Sequence, residues 1–537
     1  MFLNAQPLAE STDPDVRPAH LEMTTSHHIV QVPEPSYISA LPSEVLETIF
    51  LCCVDARPPP PALEDFTFSD IVTPQELAYP HNLFTLTHVC QLWRSVALGS
   101  SRLWARIVPM THTCTIEVLA RSRGAPLEID FSSRKEVDPP IALGTETIAC
   151  DLRHLGRTRA LSLTFLPGDN FMVEFSQPAP MLQSLSLWEC WLPENPFSGH
   201  VPLLRHAYLW RVTIRWDSEV LRNVTSLTLS YSSPESGDLH DAILCLESLP
   251  SLERLVLNTT LLRLEETSLA LKPITLRSLR YLELADSATS IVEFLDSVFL
   301  PCSPTLRVWV RNEEITTIQQ ANVCRAIRSQ LSHQSDEAPC VCLGIEHGLN
   351  LRVYAYTHIP PRDSSGLFIR EGAEARLDLQ MDCHLPSDND DNWHSVVGQL
   401  FPTGPVRAVS LHIYISVSQL QFEAFFHTFN SIEELWVESY PDLEFPKSLV
   451  SQTTDLGHPG YLVLPRLKML IVRSRNWHEM ESWQVVWKDA IVALYKRGSC
   501  LDELRLYLGD DLVAQDLTSY VRNLTGKCDP VVMSTTL

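Results

Sequence analysis

Residues 182 to 192 read Leu-Gln-Ser-Leu-Ser-Leu-Trp-Glu-Cys-Trp-Leu, and this spacing of leucines returns along much of the chain. The phrase Leu-x-x-Leu-x-Leu recurs at 204–209, 224–229, 252–257 and 279–284, with Ala207 and Val224 replacing leucine in two copies. Each copy therefore begins at a similar distance from the one before it. A short phrase at a nearly fixed period indicates a repeat architecture, in which each copy supplies one structural unit.

The phrase is the signature of leucine-rich repeats, whose period is ~20–29 residues. Only the first copy has the full form, ending in Cys190 and Leu192, so the repeats are irregular. Alternate residues of a strand point to opposite faces, which directs the second and third leucines of each phrase into a core. One strand with one helix cannot bury its apolar face alone. The sequence therefore predicts an α/β solenoid, a curved stack of repeats with parallel strands over residues 109–525.

The phrase becomes irregular between residues 306 and 405 and then returns. Candidate strands in this irregular middle are 340–345, 351–356 and 376–381, followed by a helix near 393–401. Later copies begin at Val406, Ile432, Leu467 and Leu501, so the last repeats are longer than the first. One solenoid with an irregular middle is the favoured interpretation. Two packed domains divided near residue 335 or 360 are the alternative. A Ser-x-x-Glu capping box at Ser290 predicts a helix start.

Strand alternation also predicts a binding surface for a target protein. The residues beside the inward leucines point out of the core, and they include many aromatic and arginine side chains, the types that most often anchor interfaces. The predicted target-binding residues are Trp188, Tyr208, Trp210, Arg254, Tyr281, Glu283, Trp436, Glu438, Arg473, Arg505 and Tyr507. We expect Tyr208, Trp210, Tyr281 and Trp436 to share one continuous concave face with partly open side chains. Some tryptophans are expected to fill gaps against neighbouring loops instead.

A second pattern lies near the N-terminus. Leu41-Pro42-Ser43-Glu44-Val45 begins a stretch that ends in Ile49-Phe50, and Val89-Cys90-Gln91-Leu92-Trp93 and Leu103-Trp104 follow. Proline suits the first turn of a helix, and Glu44 complements the helix dipole there. Leu86, Val89, Cys90, Trp93 and Ala97 have helical spacing, which predicts a second helix ending near Gly99.

These motifs resemble the F-box, a three-helix module. The phrase 119–122 with 125–127 is further similar to the expanded F-box family of mushroom-type (basidiomycete) fungi. The resemblance implies that residues 37–108 dock onto the Skp-type adaptor of a cullin ubiquitin ligase. The Pro-rich segment 55–80 departs from the family pattern, because it is longer than the usual connection between the first two helices, and it is interpreted as an exposed insertion. The residues at the matching positions are Leu41, Pro42, Glu44, Val45, Ile49, Val89, Cys90, Trp93 and Trp104.

Composition and charge limit the classes of function that the chain can have. With 41 basic and 65 acidic residues, the formal charge of −24 argues against a general nucleic-acid or membrane binder. Residues 1–36 are predicted to be a disordered acidic, Pro-rich leader, and residues 526–537 a tail. The cysteine pattern and the lack of an apolar leader predict a cytoplasmic or nuclear protein. No motif indicates a metal, cofactor or catalytic site. The resemblance to the F-box implies a non-enzyme that selects an unknown protein for ubiquitination. The alternatives are a leucine-rich-repeat scaffold without that role, and an enzyme with an unrecognised site in the irregular middle.

Overall fold

The computed structural model describes residues 38, 41–54, 79–131, 145–164, 170–231, 239–259, 273–302, 304–311, 315–332, 339–348, 350–361, 375–382, 393–401, 405–439, 444–449, 464–474, 481–496, 501–508 and 531–534. The predicted leader at 1–36 lies outside these residues, as does most of the predicted insertion at 55–80.

Helices and strands alternate through most of the described chain. The helices are α1 (Ser43–Val54), α2 (Tyr79–Leu86), α3 (Gln91–Gly99), α4 (His112–Ser122), α5 (Thr145–Leu152), α6 (Leu239–Glu247), α7 (Ala288–Ser297), α8 (Thr317–Ser332), α9 (Trp393–Leu400), α10 (Gln419–Thr428), α11 (Glu444–Ser448) and α12 (Glu481–Lys496). The strands are β1 (Arg106–Ile107), β2 (Leu127–Phe131), β3 (Thr158–Thr164), β4 (Ser184–Trp188), β5 (His206–Trp210), β6 (Ser226–Ser230), β7 (Arg254–Asn258), β8 (Ile274–Thr275), β9 (Tyr281–Asp286), β10 (Val298–Phe299), β11 (Thr305–Val310), β12 (Cys342–His347), β13 (Asn350–Tyr356), β14 (Leu377–Asp382), β15 (Ala408–Ile413), β16 (Glu434–Ser439), β17 (Met469–Ser474), β18 (Glu503–Leu508) and β19 (Val531–Ser534).

Seventeen strands form one sheet, and almost all of its pairings are parallel. From β1 to β11 the strands follow chain order, except that β8 and β10 pair with each other outside this sheet. From β15 to β19 they again follow chain order. The large, mostly parallel sheet with its connecting helices is an α/β solenoid-like fold, and this part of the predicted fold class is confirmed.

The middle of the sheet departs from the predicted pattern of parallel strands. β11 pairs with β14 and β12 pairs with β15, while β13 lies between β14 and β12 and is antiparallel to both. The strand order is therefore reversed between β11 and β15. Because β12 and β13 are joined by a tight connection, they form a hairpin that only antiparallel strands can make. The strands before and after this middle segment belong to the same sheet.

Spacing of the repeats follows from what connects the strands. Short 3₁₀ turns at Glu174–Ser176, Pro196–Gly199 and Glu219–Leu221 precede β4, β5 and β6, where the copies of the phrase follow each other most closely. Where α6 precedes β7, the next copy is delayed until Leu252. A 3₁₀ turn needs only three or four residues, whereas the helix needs nine. The length of a repeat therefore depends on whether a 3₁₀ turn or an α-helix connects its strand to the next one.

The core is built from the inward positions of the strands. In β4 and β5 the residues 185, 187, 207 and 209 are buried and alternate with more open ones. Neighbouring strands are in register, so Leu185, Ala207, Leu227, Leu255 and Leu282 occupy one row across the sheet. The row continues into one apolar core that extends from Leu46 to Leu504. The helices cover this face of the sheet.

Two local predictions are corrected. The helix α7 begins at Ala288, and the Oγ of Ser287 accepts a hydrogen bond from the Ser290 N–H at 3.2 Å, so Ser287 and not Ser290 is the N-cap. The strand β19 lies within the predicted tail at 526–537, and it pairs with β18. The sheet thus extends to Ser534.

Candidate functional site

The first helix divides its apolar side chains between the core and the surface. Leu46, Phe50 and Val54 recur every four residues along α1 and are buried. Val45 and Ile49 lie on another side of the helix and are 42% and 38% exposed. The helix α1 therefore carries more apolar side chains than the protein core buries. Val45 and Ile49 are one helical turn apart, so they expose neighbouring apolar side chains on one side of α1.

The predicted second helix is wrong as a single element. The helix α2 ends at Leu86, and α3 begins after Cys90, whose Sγ accepts a hydrogen bond from the Trp93 N–H at 3.5 Å. The break turns Val89 outward, where it is 54% exposed, and Cys90 and Leu92 are exposed beside it in sequence. The helical spacing of Leu86, Val89 and Trp93 therefore spans a turn.

The two tryptophans of this segment have different surroundings. Trp93 is partly buried, with its ring 4.8 Å from that of Phe50. Trp104 is fully buried, donates from Nε1 to the Ala97 carbonyl at 2.8 Å, and lies 4.5 Å beneath the Arg121 guanidinium. Because it is buried, Trp104 could support an adaptor-binding surface from beneath but could not contact an adaptor directly. Because Arg121 belongs to α4, Trp104 also fixes the N-terminal helices to the first repeat.

The other predicted adaptor residues lie at or near the surface. Pro42, Glu44, Val45, Ile49, Val89 and Cys90 are exposed, and Leu41 is partly buried. We define the exposed apolar side chains Ile38, Val45, Ile49, Val89 and Leu92 as the N-terminal apolar surface. The module is held in place by its own contacts, including the 2.6 Å hydrogen bond from Ser100 Oγ to Glu47.

A second candidate surface is the outer face of the sheet, which lies opposite the buried leucines. The strand register places the predicted target-binding residues at outer positions. Three rows of outer positions run across the strands: one contains Arg254 and Tyr281; the next contains Tyr208, Glu283, Trp436 and Arg505; the last contains Trp188, Trp210, Glu438, Arg473 and the backbone of Tyr507. The register expected from the phrase is therefore correct.

Exposure of the outer residues is lower than expected at three positions. Tyr208 and Trp210 are partly exposed, but Tyr281, Trp436 and Glu438 are buried. Tyr281 lies under the Arg254 guanidinium, 3.6 Å from the ring centre, and its hydroxyl donates to Glu283 at 2.6 Å. Glu438 Oε2 lies 3.2 Å from His412 Nδ1. These side chains are covered by neighbours on the same face, so they support the surface and do not contact a target directly.

Trp436 belongs to an apolar cluster of its own on the outer face. The cluster also contains Cys342, Tyr354, Tyr356, Ala408 and Ile471, and it is separate from the leucine core. Its members come from β12, β13, β15, β16 and β17, so the reversed middle strands pack against the later repeats. Sequence patterns predicted an outward Trp436 but not the neighbours that bury it.

A network of charges spans the reversed strands. The Asp378 carboxylate receives two hydrogen bonds from Arg352, at 3.0 and 2.8 Å, and lies 3.2 Å from Arg307 Nε. Arg307 also lies 3.7 Å from Glu283. Burial counteracts these contacts, but the hydrogen bond and charge of Asp378 raise the pKa of Arg352 above its usual value. Burial and the nearby Glu283 raise the pKa of Tyr281. With these raised pKa values, Arg352 is charged and Tyr281 is neutral at ordinary pH.

Further outer residues have no signal in the leucine phrase. Glu189, Arg211, Tyr231 and Thr259 each follow the last residue of a strand and have positive φ, between 49° and 57°. Each donates its N–H to the carbonyl at the end of the next strand, as Arg211 does to Ser230 at 2.8 Å. Glycine or asparagine is the usual residue in this conformation. Because neither stands at these positions, the repeated turn could not be predicted from residue type.

Metal-binding groups, membrane-spanning helices and related proteins are three further indicators of function. Within the described ranges, no group of three His, Cys, Asp or Glu side chains is arranged to hold a metal ion. The described helices include none with the length and apolar character needed to cross a membrane. No protein-family model matches the chain, and no curated protein matches its sequence.

Proposed function

We propose that this chain is the substrate-recognition subunit of a Skp–cullin–F-box ubiquitin ligase. The observation that carries the proposal is the N-terminal apolar surface. Val45, Ile49 and Val89 match F-box positions and are also among the most exposed large apolar side chains of the segment. A fully exposed Val or Ile forgoes ~1.5–3 kcal/mol that burial would supply, so a partner that covered three of them would gain substantial binding energy.

The chain itself would perform no bond chemistry in this role. The N-terminal helices would bind the adaptor, and the outer sheet face would hold a target protein. Since Trp104 and Arg121 join the N-terminal helices to the first repeat, the two surfaces have a fixed mutual connection through packed side chains. Holding a target near the transferring enzyme raises its effective concentration and restricts its orientation.

Adaptor binding by the full chain tests the first half of this proposal. The variant Val45→Glu/Ile49→Glu should lose binding to a purified Skp-type adaptor, because it places two charges in the apolar contact. The control is Ile318→Glu/Leu420→Glu, which changes two exposed apolar side chains on α8 and α10. The control should bind like the unaltered chain. Adaptor docking through this surface would be refuted if Val45→Glu/Ile49→Glu bound the adaptor as tightly as the control variant does. It would also be refuted if the unaltered chain did not bind.

Reconstituted ubiquitination separates the proposal from the scaffold alternative. Adding the adaptor, the cullin complex and a captured target should give target-linked ubiquitin chains that depend on Val45 and Ile49. Adaptor binding without any ubiquitin transfer to a captured target would support a scaffold. Deletion of residues 1–36 should leave adaptor binding unchanged, since these residues precede the matching motifs.

A further inference from the structure

Five side chains form a stacked row along the ends of β5, β6 and β11. The Arg211 guanidinium lies 4.5 Å from the Trp210 ring centre and 6.0 Å from that of Tyr231. The Arg311 guanidinium lies 5.6 Å from the Tyr231 ring and 4.0 Å from that of Trp309. We call Trp210, Arg211, Tyr231, Arg311 and Trp309 the arginine–aromatic row. Cation and ring alternate along it, an arrangement that holds guanidinium planes in fixed positions.

The row reaches across several strands. Arg311 follows β11, yet its Nη1 donates to the Tyr231 hydroxyl at 2.6 Å and to Thr259 Oγ1 at 3.2 Å. The pairings β6–β7, β7–β9 and β9–β11 place β7 and β9 between the two ends of this contact. Arg311 therefore extends over the ends of two intervening strands, where Asn258 and Ala285 stand.

This part of the outer face is positively charged within an acidic chain. The outer positions of β4 to β11, with the residues that end or follow those strands, hold the four arginines Arg211, Arg254, Arg307 and Arg311 against the three acidic residues Glu189, Glu283 and Asp286. The whole chain has a formal charge of −24. A local excess of arginine on such a chain favours an acidic partner at this face alone.

Two of these arginines have no carboxylate partner among the residues that the structure describes. Arg254 lies over the Tyr281 ring, and Arg311 contacts neutral hydroxyls and rings. The Nε atoms of both are sealed from solvent and, within the same described residues, have no hydrogen-bond acceptor. Both side chains are partly exposed. A guanidinium stacked in this way keeps its edge for a carboxylate, which it binds in a planar, two-bonded geometry.

Two members of the row occupy the positive-φ turn that also occurs at Glu189 and Thr259. Arg211 and Tyr231 have φ of 50° and 51°, a region in which side chains other than glycine and asparagine are strained. The strained residues supply two of the five members of the row. Glycine at these positions would remove the strain and also the row.

We propose that the arginine–aromatic row, together with Arg254, binds an extended acidic segment of the target protein. Carboxylates of the segment would meet Arg254 and Arg311, and apolar side chains between them would pack against Trp210 and Trp309. This inference rests on the target-binding half of the proposed function and not on adaptor docking. A nucleic acid is a poorer fit, because its continuous phosphate charge would be repelled by the remaining acidic surface.

Peptide selection on the purified full chain tests the inference. Random twelve-residue peptides displayed on phage should yield binders enriched in Asp and Glu, and synthetic copies should bind with salt-sensitive affinity. The variant Arg254→Gln/Arg311→Gln should weaken that binding on the order of tenfold or more. The control Arg325→Gln removes an exposed arginine of α8, which is paired with Asp296 away from the sheet face, and should bind normally.

Several outcomes would overturn the inference. These are the absence of any enriched peptide, enrichment without acidic residues, and equal affinity for the double variant and the unaltered chain. Binders that appear only after residues 1–36 are deleted would identify that acidic segment of the chain as the occupant instead. Adaptor binding and the unfolding temperature of the double variant are measured in parallel. Unchanged values for both would attribute lost peptide binding to the row and leave adaptor docking as a separate question.

Discussion

Asp151 lies in α5 with both carboxylate oxygens buried and, among the described residues, without a hydrogen-bond partner. Burial raises its pKa from 3.8 to about 8. The folded chain therefore binds this proton more tightly than the unfolded chain does. The stabilisation that the folded chain gains from this proton is fully present below pH 4, and it is lost as the pH rises toward 8. At ~1.4 kcal/mol for each pKa unit, the carboxyl opposes folding at pH 7 by up to ~4 kcal/mol relative to pH 4.

The substitution Asp151→Asn removes the titration while keeping the size of the side chain. We expect the variant to gain on the order of 2–4 kcal/mol relative to the unaltered chain between pH 4.5 and pH 7.5, measured as the difference in free energy of unfolding by urea. At the lower pH the two proteins should be similar, or the variant less stable, since an amide in this place also lacks a partner.

A surface carboxylate supplies the control for Asp151. Asp217 is fully exposed, and its hydrogen bond from Arg215 lowers its pKa. Asp217→Asn should therefore change stability little, and any pH dependence should have the opposite sign. If the difference between Asp151→Asn and the unaltered chain were constant with pH, the carboxyl would not be buried and unpartnered as the structure has it.

Three other substitutions test separate parts of the structure. Leu209→Ala, at a fully buried position of β5, should lower the free energy of unfolding by ~2–5 kcal/mol; a loss below ~1 kcal/mol would contradict the inward register. Asp378→Asn leaves Arg352 and Arg307 without their shared carboxylate and should lower the free energy of unfolding by ~1.5–3 kcal/mol, since both arginines are partly exposed; an unchanged value would show that the network is not coupled. Trp93→Ala should lower stability by roughly half of the ~3–5 kcal/mol expected for a core tryptophan, because its ring is only partly buried. It should also weaken adaptor binding, and normal binding would remove Trp93 from the docking surface.

The sequence predicted the sheet wherever local spacing determines it. A phrase of alternating leucines specifies which face of a strand is buried, and the rows through Leu185 and Tyr208 follow that specification. The same reasoning located the middle strands and the helix α9. It could not predict that β12 pairs with β15 while β14 pairs with β11, because strand order there depends on pairings between distant segments and not on periodicity.

The candidate surfaces were predicted only in part, because burial of a side chain also depends on residues that are distant in the sequence. The motif residues Val45, Ile49 and Val89 are on the surface, but helical spacing wrongly extended across the turn before Cys90. Outward direction was correct for Trp436, but its burial depends on side chains from four other strands. The positive φ of Tyr231 had no signal, since a tyrosine in the left-handed region is uncommon.

Docking to the adaptor is the central claim, and hydrogen exchange of the full chain with and without a purified Skp-type adaptor tests it most directly. We expect a saturable complex in which amides of residues 43–54 and 89–93 become protected, because these segments carry the N-terminal apolar surface. The outer sheet face around Trp210 should exchange unchanged. Protection confined to the sheet face, or no complex at micromolar concentration, would contradict the claim.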